Sequence, residues 1–207
     1  MYALTEDRCH ILTRALIDLS QDQCLGLSIP FFSGDEISDL KKEAEALPKR
    51  RARDRVSHKG NIVFQDFHIS FPAPRRGALD RLCHLLESGL NQANGALTNP
   101  VLTMPYHIND LAVQDYPSQS KGIGIHRDGL KYRQIVIIIT LAGQSRLCLC
   151  QDREGNGISV IDDSPGRLVL LSAPDFAGRD GHNGRALHFV DQVTDGRLSI
   201  GLRQELG

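Results

Sequence analysis

The sequence has no tryptophan and two methionines, and aromatic residues make up 5% of its 207 positions. Readers of single strands or extruded bases use aromatic rings as stacking platforms, so this poverty counts against a nucleic-acid substrate. A large charge of either sign is also missing. Lys and Arg number 24 against 25 Asp and Glu, a net charge of −1, which is not the polycation suited to phosphate backbones. No apolar run approaches the roughly 18 residues of a membrane span; the longest, 135–139 with Leu141 and Ala142 beyond, suits one buried strand. Five cysteines (Cys9, Cys24, Cys83, Cys148 and Cys150) form no CxxC pair, and their odd number argues against a disulfide framework. Glu6, Asp7 and Arg8 fall where a signal peptide would be apolar, so a cytoplasmic protein without membrane association is expected. No internal repeat or low-complexity tract is present, which removes solenoids and propellers.

What the chain does contain is organised in two parts of one expected domain, 1–207. Residues 1–100 read as a helical and mixed scaffold. Leu12, Leu16, Ile17 and Leu19 make an amphipathic face after Thr5; Ser33 and Glu36 have capping-box spacing ahead of Ile37, Leu40 and Ala44. Leu79, Leu82, Leu85, Leu86 and Leu90 recur at helical spacing, and 61–64 and 67–71 read as short strands. From about residue 105 the period shortens to two. Eight β-type runs follow (108–116, 123–126, 134–141, 146–151, 157–161, 167–171, 185–190 and 197–203), separated by turn dipeptides such as Pro117-Ser118 and Asp195-Gly196. The expected class is α+β, mainly β, with a double-stranded β-helix (jelly roll) over 105–204 and the N-terminal helices packed on it.

Chemistry concentrates in two places. His126-Arg127-Asp128 is the sole His-x-Asp among eight histidines. On a strand, residues i and i+2 share a face, so imidazole and carboxylate can grip one ion at the rim where Gly129 breaks the chain. A second histidine would complete the facial triad that binds ferrous iron and leaves positions open. His182 lies in a polar loop, Arg179 to Gly184, whereas His188 lies in a strand with Leu187 and Phe189 opposite it, and is preferred. The other place is 197–203. Arg197, Ser199, Gly201 and Arg203 share one face, with Leu198, Ile200 and Leu202 on the other. Unless this is a solvent-facing edge strand, two buried guanidiniums require a partner, and their planar fork suits a carboxylate.

His126-x-Asp128, His188 and then Arg197-x-Ser199 resemble the iron(II)/2-oxoglutarate-dependent dioxygenase superfamily. The Arg-x-Ser spacing resembles its isopenicillin N synthase-like branch. Arg197 to Arg203 also resembles the Arg-x-Asn-x-x-x-Arg strand of AlkB-like demethylases, with Ser199 for Asn, and Gln114-Asp115-Tyr116 resembles their Asn-x-Tyr, with Gln114 for Asn. The resemblance implies iron(II) on His126, Asp128 and His188, and 2-oxoglutarate and dioxygen as co-substrates. It further implies that Arg197 and Ser199 hold the distal carboxylate, with Tyr116 and Gln114 beside them and Arg203 either nearer the other end or behind the residues that touch the ligand. Asp128 argues against halogenation, because related halogenases lack that carboxylate.

The substrate stays open at this level. Lys131, Tyr132 and Arg133 follow the ligands and could read a polar or anionic small molecule. The basic stretch Lys49, Arg50, Arg51, Arg53, Arg55, His58 and Lys59 is either a solvated loop or helix end or an anion-facing lip, with Phe64, Phe67 and His68 as a stacking edge. A small-molecule hydroxylase is favoured over an AlkB-like enzyme acting on nucleic acid; protein hydroxylation and a non-catalytic, cupin-like metal-binding protein are the further alternatives. Cys148 and Cys150 read as core rather than soft-metal ligands.

Overall fold

The computed structural model describes residues 2–58, 61–181 and 183–206, with the side chain of His58 left aside. Lys59 and His182, the alternative third ligand, lie outside the described residues.

Helix α1 (Glu6–Ser20) begins where the Thr5 hydroxyl accepts from the Arg8 amide, with Glu6 and Asp7 in its first turn. It buries Leu12, Ala15, Leu16 and Leu19; Ile17, expected on that face, is 37% exposed because it falls outside the 100° stripe. A capping box between Ser33 and Glu36 starts α2 (Gly34–Ala46), and Arg8 reaches across to Glu36 and ties the two helices. The third helix, α3 (Gly77–Gly95), buries Leu79, Leu82, Leu86 and Leu90.

The strands are β1 (Gly26–Pro30), β2 (Arg50–Arg51), β3 (Arg55–His58), β4 (Asn61–Asp66), β5 (His68–Ser70), β6 (Asp110–Tyr116), β7 (Gly122–His126), β8 (Tyr132–Gly143), β9 (Arg146–Leu149), β10 (Ser159–Ile161), β11 (Arg167–Ser172), β12 (His188–Asp191) and β13 (Arg197–Glu205). They form two antiparallel sheets, ordered β1-β11-β8-β13-β6-β5-β2 and β10-β9-β12-β7-β4-β3. Of the eight C-terminal strands, β6, β8, β11 and β13 lie in the larger sheet and β7, β9, β10 and β12 in the smaller, the four-and-four division of a double-stranded β-helix. Strand β8 turns Ile135, Ile137 and Ile139 to the helices and Val136 and Ile138 to the facing sheet; β13 turns Leu198, Ile200 and Leu202 to the helices. Its odd face is thereby left to line the space between the sheets. Among the described residues no helix is long and apolar enough to cross a membrane.

The N-terminal segment contributes more strand than its pattern suggests. Residues 26–30 pair with β11 as an edge strand that ends at Pro30, where no ladder donor is needed. The basic stretch is partly strand, with Lys49 and Arg53 outside it: β2 pairs with β5, and β3 pairs with β4. Both are too short to show a period.

One irregularity positions the site. Between β12 and β7 the partners His188↔His126 and Val190↔Ile123 take two residues on β12 and three on β7. That bulge reverses the alternation, so Ile123 and His126 both face the interior. Gly122 starts the strand at φ +82°, and a Cβ there would overlap the Val190 carbonyl oxygen. Gly122→Ala is therefore expected to cost at least about 2 kcal/mol and, by displacing β7, to weaken metal binding; a melting curve and a Mn(II) titration read the two effects.

Candidate metal centre

The register His126–His188–Leu149 crosses three neighbouring strands, so both imidazoles stand in one row at the open end of the barrel. Their ring centroids are 4.2 Å apart. The His126 Nδ1 lies 2.8 Å from the Gly124 carbonyl oxygen and the His188 Nδ1 3.2 Å from that of Ala186. Each carbonyl calls for a proton on Nδ1, which leaves Nε2 as the lone-pair nitrogen of both rings. The His188 Nε2 stands 3.5 Å from an Asp128 carboxylate oxygen. One ligand atom from each of His126, Asp128 and His188 lies within 4.8 Å of the others.

Protonation states match ligation. Burial pushes His126 down to about 4, helped by neighbouring His188 and opposed by Asp128. Burial raises the Asp128 carboxyl, but His188, Arg203 and His126 outweigh it and hold the group below its ordinary value. At neutral pH one ring is neutral and the carboxylate charged, so a divalent cation displaces no proton from either. Two imidazole nitrogens and one carboxylate on one side of a cavity fit ferrous iron with open positions.

Asp128 is held from behind. Arg203 donates from Nε to Asp110 at 2.7 Å and from Nη1 to Asp128 at 3.5 Å, with its guanidinium 4.7 Å from the Tyr132 ring centroid. The Tyr132 hydroxyl donates to Asp110, and Arg185 donates to the Asp128 backbone carbonyl at 2.7 Å. Asp110 is 4% exposed and faces Arg203 across the β6–β13 ladder.

A cavity joins the three ligands to Arg197, with Gln114 and Tyr116 on one wall and Ile123, Leu147 and Val190 on another. Arg197 and Ser199 are 3% and 0% exposed. Arg197 donates from Nη2 and Nε to one Asp163 oxygen (2.9 and 3.3 Å), which also accepts from the Thr140 hydroxyl at 2.7 Å, and Nη1 donates to the Ser199 hydroxyl. Three of its five N–H groups are thus engaged, and two remain for a second acceptor. The Tyr116 ring lies 5.5 Å from this guanidinium; burial, partly offset by Arg197, pushes its hydroxyl up to about 12, keeping it a donor.

Lys131, Tyr132 and Arg133 are placed differently from the other candidates. Lys131 pairs with Glu205 at 2.9 Å, Arg133 with Asp175 at 2.7 Å, and Tyr132 with Asp110; none lines the cavity. The stacking edge is also incomplete, because Phe67 is 1% exposed and packs on Tyr116, leaving Phe64 and His68 outside. Cys148 and Cys150 are buried with Leu187 and Phe189, and burial raises both thiols, as core residues. Sequence reasoning missed Asp163 and Asp110. Both sit at strand ends among turn-forming residues, where an acid is ordinary, and only the fold brings them to Arg197 and Arg203.

No protein-family model and no curated protein matches the sequence. Solved structures do match. A Trichoplax adhaerens prolyl hydroxylase, solved with a hypoxia inducible factor oxygen degradation domain peptide fragment, superposes with a TM-score of 0.68 at 17% identity, covering 97% of this chain and 91% of that one. A Pseudomonas putida prolyl-4-hydroxylase gives 0.63 at 16% identity over 95% and 100% of the two chains. The chain has the double-stranded β-helix of the 2-oxoglutarate–iron(II) oxygenases. An oxidoreductase of that oxygenase family from Burkholderia pseudomallei gives 0.59 at 13% identity, covering 93% of this chain and 88% of that one. In this fold the His126–Asp128–His188 cluster lies inside the barrel, and the helices pack on the opposite face of the larger sheet.

Proposed function

We propose that the protein is an iron(II)- and 2-oxoglutarate-dependent dioxygenase that hydroxylates a polar or anionic small molecule and converts 2-oxoglutarate to succinate and carbon dioxide. The observation that carries this reading is one cavity lined by three converging ligands and by buried Arg197, which donates to Ser199. Bound iron(II) would supply the activation of dioxygen coupled to decarboxylation of the keto acid. The chain's own residues do the rest. His126 and His188 offer Nε2 and Asp128 a carboxylate oxygen, while Arg203 and Arg185 keep Asp128 in place. Arg197 directs its two remaining N–H groups at the distal carboxylate of 2-oxoglutarate, with Ser199, Tyr116 and Gln114 beside it. Ile123, Leu147 and Val190 exclude water from the wall between them.

A second reading is favoured by the Trichoplax adhaerens match: a peptide side chain as substrate, laid against the β3–β4 hairpin, where Ile62 and Phe64 are 64% and 44% exposed. A nucleic-acid substrate loses support with the burial of Phe67, although Arg50, Arg53 and Arg55 stay exposed.

Anaerobic titration of metal-free protein with iron(II) and 2-oxoglutarate tests the assignment through the visible charge-transfer band of a chelated keto acid. The wild type is expected to give the band, and His126→Ala and Asp128→Ala to lose it. Iron binding without the band would move the protein to the non-catalytic, cupin-like reading. No iron binding would remove the His126–Asp128–His188 assignment itself.

A further inference from the structure

Because Leu149, His188 and His126 stand in one row across the smaller sheet, the segments that continue past them gather at a single end of the barrel. Those segments run from Arg127 to Lys131, from Cys150 to Ile158 and from Asn183 to Leu187, and each brings one arginine to the ligand row. Arg185 donates from Nε to the Gly181 carbonyl at 2.6 Å and from Nη1 to the Asp128 carbonyl at 2.7 Å. Arg127 donates from Nε to the Arg185 carbonyl at 3.3 Å, and Arg153 from Nη1 to the Ile125 carbonyl at 3.4 Å. Every one of these acceptors is a neutral backbone oxygen. Among the described residues none of the three guanidiniums forms an ion pair, with Glu154 or with any other acid, and Asp152, on the other side of Arg153, is turned to Asn156 and to its own loop amides. Burial disfavours the charge on Arg185, and Arg127 and Arg153 add repulsion that Asp128 only partly relieves.

Three like charges drawn together, with Asp128 as a partial counter-charge, are costly unless a further anion completes them. Among the described residues, the Nη2 of Arg185, both terminal nitrogens of Arg127 and the Nη2 of Arg153 meet no acceptor and keep their N–H groups for an anion. We infer that Arg127, Arg153 and Arg185 form an oxyanion site at the mouth of the metal cavity, which holds a carboxylate or phosphate of the prime substrate. This role rests on the hydroxylase reading, but the site itself does not. It replaces Lys131 and Arg133, whose charges are matched by Glu205 and Asp175. An anchor one residue from His126 and Asp128 would restrict turnover to substrates whose reacting carbon lies a short, fixed distance from the anion.

The test is a titration of metal-free full-length protein with inorganic phosphate at low ionic strength, followed by the arginine Nε–H resonances. Shifts are expected at Arg127, Arg153 and Arg185, and affinity is expected to fall at least tenfold in the Arg127→Gln/Arg153→Gln double variant. Lys131→Gln is expected to bind phosphate like the wild type. If the double variant does not fold, Arg153→Glu, at an exposed side chain, must show the same loss. Acetate in a parallel titration separates a carboxylate from a phosphate preference. Shifts confined to Arg197, or unchanged affinity in the arginine variants, would overturn the site. Neither iron nor 2-oxoglutarate enters this titration, so a missing charge-transfer band would remove the catalytic reading and leave the anion site standing.

Discussion

Replacing Arg203 with methionine is expected to destabilise the metal-free protein by about 3–5 kcal/mol, the range for removing one partner from a buried charge network. Arg203 is the cation between two carboxylates: Asp110 at 2.7 Å and Asp128 at 3.5 Å. Without it both stay in the protein interior, and among the described residues the Tyr132 hydroxyl is the one remaining donor to the Asp110 side chain. A divalent cation on His126, Asp128 and His188 neutralises one of the two, so Mn(II) should stabilise the variant. Saturation at a thousand times the dissociation constant adds about 4 kcal/mol. The metal affinity itself should fall about 10–100-fold, the usual effect of losing a group that orients a ligand. Arg203→Lys restores charge but not the fork that spans two carboxylates, and an intermediate loss is expected. Urea unfolding with and without Mn(II) measures all three quantities. A loss under 1 kcal/mol, or Mn(II) affinity equal to that of the wild type, would show that Asp128 is oriented by something else.

Most of the site was legible because its chemistry follows strand periodicity. The i, i+2 spacing of His126 and Asp128, and the shared face of Arg197, Ser199 and Arg203, need only the alternation of side chains along a strand; four of these line the same cavity, and buried Ser199 accepts from Arg197. His188 was separable from His182 by the apolar residues on either side of it. The bulge in β7 left no trace in the pattern of 122–126, since Gly122 and Gly124 show no preference for a face. The counter-charges were equally hidden. Asp110 and Asp163 are matched to their arginines by cross-strand register and by a loop return, relations between residues 93 and 34 positions apart. Lys131 and Arg133 illustrate the opposite error: their place directly after the ligands suggested a substrate contact, but their acid partners Glu205 and Asp175 come from distant segments. The same distance effect concealed Arg153 and Arg185 as neighbours of Arg127.

Arg197→Gln should raise the 2-oxoglutarate concentration needed for the charge-transfer band about a hundredfold or more, since two hydrogen bonds from a charged donor are each worth about 1.5–3 kcal/mol. The same substitution strips Asp163 of its cation. That carboxylate is 7% exposed and would keep only the Thr140 hydroxyl as donor, so a stability loss of about 3–5 kcal/mol accompanies the binding defect. A lost band in the single variant is therefore ambiguous between a missing anchor and a damaged fold. Adding Asp163→Asn resolves it. The amide carries no charge to strand, its oxygen can still accept from Thr140, and most of the stability should return. Binding of 2-oxoglutarate should not return, because neither side chain can offer the distal carboxylate a cation. Asp163→Asn alone keeps Arg197 and should retain the band. A double variant that is stable and still gives the band at wild-type 2-oxoglutarate concentrations would exclude Arg197 as the anchor. Arg203 would then be the remaining guanidinium on that wall, and the keto acid would have to lie in the opposite sense along the cavity.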